Sequence, residues 1–508
     1  MFEAAEIGQS ISAKEFKTSE RVLWSRLLLL QRKLRKHGRF PVLVDFAGVH
    51  GAGKVGMVNA LNRWMDPRWI STHAYDAMSD EEQLRPTLWR FWRDLPPRGQ
   101  IALYLSGRYS QPLRDFVHGK ADLAQFEKSL DSIRSFEQAL ADDGAVVLKI
   151  WMHLGRDEQE RRLKALENDP LEKWRVTEED WKNWSLYDKF IAAGEHIIAR
   201  TSTAQAPWHI VEGTDPAYRS LRAGGIVGDA IERRLRHSKA ERLVRKQLDE
   251  GAASAEAPGK SDPATPPDDQ LTILHNLDLK RRLSKKDYKA QFRQLTSELN
   301  QLHYEARQQG ISSVMVFEGP DAAGKGGAIR RLVAAFDASS YRVYPIAAPS
   351  SEAHAHHYLW RFWHRILPAG KISIFDRSWY GRVLVERVEG FATETEWRRA
   401  YAELNDFEAC LVEHKILLLK FWVQISSDEQ LARFKRREKS PQKSWKLTDE
   451  DWRNRARWQE YQQAAHDMIQ HTSTMSAPWT LVEGNSKLHA RIKIMRTVRD
   501  QLSDALAS

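Results

Sequence analysis

The sequence is poorest in cysteine. A single thiol, Cys410, among 508 residues excludes an internal disulfide framework and a zinc site built on cysteines; it is expected to be a buried helix residue. Long apolar runs are absent too. None approaches the roughly 20 residues a membrane span needs, and the all-leucine run, Leu27 to Leu30, sits among arginine and lysine. The opening residues Met1-Phe2-Glu3-Ala4-Ala5-Glu6 are acidic and lack the basic start of a secretory signal. A cytoplasmic protein with no membrane partner is therefore expected. An excess of negative charge is also missing: 78 Lys plus Arg against 68 Asp plus Glu give a formal charge of +10. Such a surface attracts polyanions. No recognised nucleic-acid module and no aromatic-basic ribonucleoprotein motif occurs, so a phosphate polymer fits the charge and no nucleic acid is expected.

What the chain does have is a copy of itself. Leu88-Trp89-Arg90-Phe91-Trp92 recurs as Leu359-Trp360-Arg361-Phe362-Trp363, Glu179-Asp180-Trp181 as Glu450-Asp451-Trp452, and Val211-Glu212-Gly213 as Val482-Glu483-Gly484, each at an offset of 271 residues. Gly53-Lys54 and Gly324-Lys325 keep the same offset. A period this long means two fused domains rather than a solenoid. Between them, Glu250 to Asp269 carries no aromatic and no large aliphatic residue and cannot bury a core. The expected division is a domain over 1–248, a flexible linker over 249–269 and a second domain over 270–508. In the second, apolar runs at 314–317, 371–375, 416–423 and 479–482 alternate with helical stretches such as 397–415. Buried runs separated by helices imply an α/β fold with a parallel sheet covered on both faces. Amphipathic helical arms are expected over 13–36 and 285–308, ahead of each first strand.

Gly319-Pro320-Asp321-Ala322-Ala323-Gly324-Lys325 follows the first of these strands and opens a helix. This is the spacing of a phosphate-cradling loop. Glycines let backbone N–H groups approach an anion, the helix N-terminus adds positive potential, and Lys325 reaches the transferring phosphate. Gly319, Ala322, Ala323, Gly324, Lys325 and Gly326 are the phosphate-binding candidates. The Ser or Thr that usually follows the lysine and binds magnesium is here Gly326. Asp321 in the loop and Asp376 at the end of the second strand are the candidates to hold the metal instead. Beside that strand end, Arg377 is suited to clamp a phosphoryl group, and Arg382 and Glu386 to meet a nucleotide. Further on, the basic stretches 433–439 and 443–446 suit a lid that closes over the site. His354, His356 and His357 lack a fourth ligand at useful spacing, and no metal site is read there.

Glu318 to Gly327, Ile374 to Arg382 with Val385-Glu386-Arg387-Val388, and Trp445-Lys446-Leu447-Thr448 together closely resemble the second family of polyphosphate kinases. The fused arrangement resembles the branch that moves a terminal phosphoryl group from inorganic polyphosphate to AMP, making ADP. The resemblance implies two tandem P-loop kinase domains of thymidylate-kinase-like fold with a helical lid, and Mg2+ as cofactor. It implies polyphosphate and AMP or ADP as partners, and leaves a homo-oligomer open. It assigns Asp321, Lys325, Asp376 and Arg377 to phosphoryl transfer and metal, places Glu386 near the acceptor, and makes Arg433, Arg436 and Arg437 lid residues for phosphate. The same fold leaves two other classes open: an ATP-dependent nucleoside monophosphate kinase, and a nucleic-acid-binding protein with a degenerate loop.

The shared register exposes an asymmetry. The first domain keeps Gly48, Gly53 and Lys54, but His50 stands at the position of Asp321, Leu105 at Asp376, Ser106 at Arg377 and Asp115 at Glu386. It retains the cradle without the metal carboxylates, which predicts a largely inactive domain with a structural, oligomeric or polyphosphate-tethering role.

Overall fold

The computed structural model describes residues 1–171, 173–254, 272–439 and 447–507. It divides into two compact units, one of Met1–Met78, Asp94–Ser261 and Ser351–His357, the other of Ser79–Arg93, Asp262–Ser350 and Tyr358–Ser508. Each unit thus takes in a short segment of the other repeat. Within the second unit, Trp89 Nε1 donates to Trp363 O at 3.0 Å, and Trp92 stacks on Trp363. Of the expected linker, residues 249–254 continue the helix Pro216–Ser254 and the remainder lies outside the described residues.

The first unit holds strands β1 (Val42–Gly48), β2 (Ile70–Ala74), β3 (Ile101–Leu105), β4 (Val146–His153) and β5 (Trp208–Glu212). The second holds β6 (Ser313–Glu318), β7 (Tyr341–Pro345), β8 (Ile372–Asp376), β9 (Leu417–Gln424) and β10 (Trp479–Glu483). Each set forms one five-stranded sheet, in the orders β2-β3-β1-β4-β5 and β10-β9-β6-β8-β7, and the pairs are parallel. Read from their own first strands, the two orders are the same. The four apolar runs of the second repeat became β6, β8, β9 and β10. The expectation missed β7 and its counterpart β2. Each is an edge strand with a single neighbour and is only partly covered, so neither needs the continuous apolar run that marks a central parallel strand. Pro345, at the end of β7, is tolerated for the same reason.

The helical arms run Ala13–His37 and Lys285–Gln308. Ser12 and Ser284 cap them by accepting from the backbone N–H of Glu15 and Asp287. In the second arm Leu295 and Leu299 join Met315, Phe317, Leu332, Ile494 and Val498 in the core beneath the loop. The helix expected at 397–415 spans Glu394–Glu413. Cys410 lies on it, partly rather than fully buried, and burial pushes its thiol up to about 12. No helix among the described residues is long and apolar enough to cross a membrane.

Candidate phosphoryl-transfer site

The site of the second unit forms where β6 and β8, adjacent in the sheet, end at its carboxyl edge. Ligands bind in this crevice in open α/β folds. The chain leaves β6 through Gly319 at φ 140. A Cβ there would stand 2.4 Å from Val423 O, so only glycine lets the loop lie against β9. The helix Lys325–Leu332 then starts behind Gly324, also at positive φ. The Lys325 ammonium is folded over the loop, donating to Gly319 O at 2.6 Å and Pro320 O at 3.3 Å. Burial lowers its pKa and Arg377 adds to the fall, while Asp321, Asp376 and Glu318 oppose it.

Asp321 and Arg377 meet directly: Arg377 Nη2 donates to Asp321 Oδ1 at 2.8 Å. Burial pushes the Asp321 carboxyl up, but Lys325, Arg377 and a hydrogen bond from Asn454 outweigh it and hold the carboxyl below its ordinary range. Asp321 therefore stays ionised at neutral pH. Arg377 occupies the left-handed region at φ 64, a conformation that costs a non-glycine residue about 1–3 kcal/mol. That bend turns the chain from β8 back toward the loop. Asp376 stands at the end of β8, and a Cβ on Gly326 would lie 3.3 Å from its Oδ2. The carboxylate thus occupies the side of the helix start from which a Ser or Thr would otherwise point. Beyond the bend, Arg382 pairs with Glu386 at 3.1 Å and lies over the Tyr358 ring. Glu386, Asp321, Arg377 and Gly319 line one cleft together with Glu318, Arg361, Asn454 and Tyr461.

Arg433 requires a correction. The expected lid arginine is almost fully buried and faces the back of the loop. Its guanidinium donates to Ala322 O at 2.8 Å, Ala323 O at 2.7 Å, Gly484 O at 2.7 Å and Asn485 O at 3.1 Å, and through Nε to Glu429 at 2.7 Å. With its donors spent on these acceptors, Arg433 braces the loop rather than binding phosphate. Arg162 does the same in the first unit, donating to Gly51 O and Gly213 O at 2.9 Å. The first repeat, with His50 and Leu105 at the positions of Asp321 and Asp376, keeps this arginine, so the brace does not depend on those acids. Arg436 is exposed and pairs with Glu429 at 2.9 Å; Arg437 follows it on the helix Ser427–Glu438. The basic residues 443–446 lie outside the described residues.

Sequence reasoning also missed three residues that complete the site. Glu318, at the end of β6, is buried and accepts from Ser378 Oγ at 2.8 Å; burial raises its carboxyl against the pull of Lys325. Gln430 donates to Asp321 O at 3.1 Å. Asn454 donates to Asp321 Oδ2 at 2.9 Å. Glu318 was visible in the sequence as an acid closing an apolar strand; Gln430 and Asn454 are distant in the chain and carry no local signal.

In the first unit Lys54 donates to Gly48 O and Val49 O, both at 2.8 Å, and burial alone lowers it to about 8. His50 turns to Asp180 at 3.0 Å, and Ser106 keeps the left-handed bend at φ 51 without a guanidinium to aim.

A parallel sheet, a phosphate loop with its lysine, and acids and an arginine gathered at the strand ends define a P-loop phosphotransferase. The family profile described as Polyphosphate kinase 2 matches residues 10–239 and 282–508, and the chain belongs to that family. It is 43% identical over its full length to a polyphosphate:AMP phosphotransferase of Pseudomonas syringae pv. tomato, covering 99% of that protein. It is 44% identical to the protein of that name from Pseudomonas aeruginosa over 99% of both chains. A third relative so named, from Acinetobacter johnsonii, is 36% identical over 91% of this chain and 90% of its own. A Pseudomonas aeruginosa crystal structure described as a polyphosphate kinase 2 superposes over the whole of both chains with a TM-score of 0.87 at 42% identity.

Proposed function

We propose that this chain transfers the terminal phosphoryl group of inorganic polyphosphate to AMP, giving ADP and a polymer one unit shorter, and that the second repeat carries the reaction. The observation that supports it best is the junction of Asp321, Arg377 and Lys325 at one strand edge, in a chain similar along its length to proteins named for this reaction. An AMP phosphate oxygen attacks the terminal phosphorus in line, and the bond to the bridging oxygen breaks. The protein contributes positioning and charge rather than a covalent intermediate. Lys325 and the helix N-terminus offset charge on the moving phosphoryl group, Arg377 holds its oxygens from the other side, and Arg382 with Glu386 orient the acceptor. On this reading residues 1–248 form a non-catalytic repeat, 249–269 a linker and 270–508 the catalytic domain, in a cytoplasmic enzyme.

Magnesium fits the residues present. Asp321 and Asp376 are hard oxygen donors at the loop, and Mg2+ is commonly held by one or two carboxylates together with substrate phosphates. Bound there, the ion would neutralise charge on the phosphate chain. Asp321 would serve both the metal and the orientation of the reacting groups.

The test is nucleotide turnover by the full-length protein with Mg2+, AMP and long-chain polyphosphate, with ATP as the alternative donor and Lys325→Ala in parallel. ADP formed only with polyphosphate, and lost in the variant and with EDTA, supports the reading. ADP formed only with ATP moves the protein to the ATP-dependent nucleotide kinases. No ADP with either donor leaves a binding role.

A further inference from the structure

The Asp321 carboxylate is held on both oxygens. Arg377 takes Oδ1, and Asn454, on the helix Asp449–Ala456, donates from Nδ2 to Oδ2 at 2.9 Å. The amide is fixed from its other end, where the Tyr461 hydroxyl donates to Asn454 Oδ1 at 3.1 Å. Tyr461 lies on the helix Trp458–Thr472. Its hydroxyl is also 3.5 Å from Glu389 Oε1, and that carboxylate is anchored by Arg453 at 2.9 Å and Arg457 at 3.6 Å. Asn454 and Tyr461 line the same cleft as Asp321.

The first repeat supplies an internal control. Asn183 is the counterpart of Asn454, Phe190 of Tyr461 and His118 of Glu389. There the amide oxygen of Asn183 lies 3.1 Å from His118 Nε2, and His50, in place of the acid, pairs with Asp180. Both repeats carry the asparagine; where the loop acid is missing its amide oxygen meets His118, and where the acid is present its amide nitrogen grips it.

We propose that Asn454 is a positioning residue for phosphoryl transfer, fixing the plane of the Asp321 carboxylate so that its remaining lone pairs face the cleft. This rests on the reading of the second repeat as the phosphotransferase. A carboxylate held on one oxygen alone can turn about its Cβ–Cγ bond; a second donor on the other oxygen stops that rotation. Preorganisation of this kind matters most where catalysis is mainly geometry and charge.

The experiment compares wild type with Asn454→Ala, Asn454→Asp, Tyr461→Phe and Asn183→Ala, all full length, with Mg2+, AMP and long-chain polyphosphate. Asn454→Asp keeps the side chain's shape and removes its donor. Both Asn454 variants are expected to lower kcat about 10- to 100-fold, the scale of one hydrogen bond to a charged group. KM for AMP, AMP affinity by calorimetry without polyphosphate, and thermal midpoint are expected to stay near wild type. Tyr461→Phe should lie between them and wild type, and Asn183→Ala should match wild type. Wild-type kcat in Asn454→Asp, or a loss confined to KM or accompanied by a matching loss of thermal stability, would overturn the assignment. A wild-type protein that makes no ADP would instead sink the functional reading on which it rests.

Discussion

In the second repeat the loop lysine, Lys325, sits in the field of Asp321, Asp376 and Glu318. In the first repeat Lys54 finds His50, Leu105 and Ala47 at the same three positions. Below the loops the two repeats share a buried lysine network. Lys420 Nζ donates to Glu408 at 2.6 Å, Thr472 O at 2.7 Å and Tyr380 OH at 3.1 Å. Lys149 does so to Glu137 at 2.7 Å, Thr201 O at 2.7 Å and Tyr109 OH at 3.3 Å. A buried lysine left without these partners would carry an uncompensated charge, so the fold itself demands the network. Nothing in the fold demands Asp321, Asp376 or Arg377. Their presence in one repeat alone sets them apart from the residues that hold the sheet and its helices together, as expected if they serve the proposed chemistry.

A second difference lies inside the core. Where the second repeat has Val316, Trp379 and Ser378, the first has Asp45, Arg108 and Gly107. Arg108 is buried, paired with Asp45 and, at 3.3 Å, with Glu137. Burial pushes the Asp45 carboxyl up to about 6 although Arg108 pulls it down. A Cβ at Gly107 would fall 2.0 Å from Asp45 Oδ1, so the glycine makes room for the acid. The first repeat has exchanged an indole for an ion pair in the same space.

The largest expected effect tests the division of labour. Lys325→Ala or Asp376→Asn should lower kcat/KM for AMP about 10²- to 10³-fold, as removal of one preorganised electrostatic group does, while Lys54→Ala stays near wild type. Loss of turnover in Lys54→Ala with retention in Lys325→Ala would reverse the comparison.

Next comes the core exchange. Arg108→Leu leaves the Asp45 carboxylate unpaired and should destabilise the first repeat by about 3–5 kcal/mol, whereas Asp45→Val with Arg108→Trp, the second repeat's pair, should recover most of it. Chemical denaturation followed by calorimetry measures both.

A smaller effect separates bracing from catalysis at matched positions. Lysine has one ammonium where Arg433 and Arg162 span several carbonyls. Arg433→Lys and Arg162→Lys should each cost about 1.5–3 kcal/mol of stability, but only the first should also slow turnover. Equal activity in the two would mean that the loop's shape does not matter to the reaction.

The last test is a pH slope. The folded Asp45 pKa, about 6, exceeds the unfolded value of roughly 3.9, so the folded state binds the extra proton. Its contribution is full below the unfolded value and is lost as pH rises through about 6. Thermal midpoints of Asp45→Asn should lose that slope between about pH 4 and 6; an unchanged slope would place the titrating group elsewhere.

The duplication, the phosphate loop, four of the five strands in the second repeat and the asymmetry between the repeats were all readable along the chain. Each is written in local spacing: a 271-residue register, a glycine pattern after an apolar run, a charge at a strand end. Local spacing determines what a segment can do by itself. The edge strands β2 and β7, the exchange of 79–93 and 351–357 between units, the inward turn of Arg433 and the grip of Asn454 on Asp321 were decided only by the tertiary structure. An edge strand is defined by its neighbour, a buried guanidinium by the carbonyls that reach it, and an asparagine 133 residues from its acid by the helix packing that brings it there. The sequence determined which chemistry this protein carries; folding decided which side chains hold that chemistry in place, because side-chain direction depends on packing between segments that the linear order keeps apart.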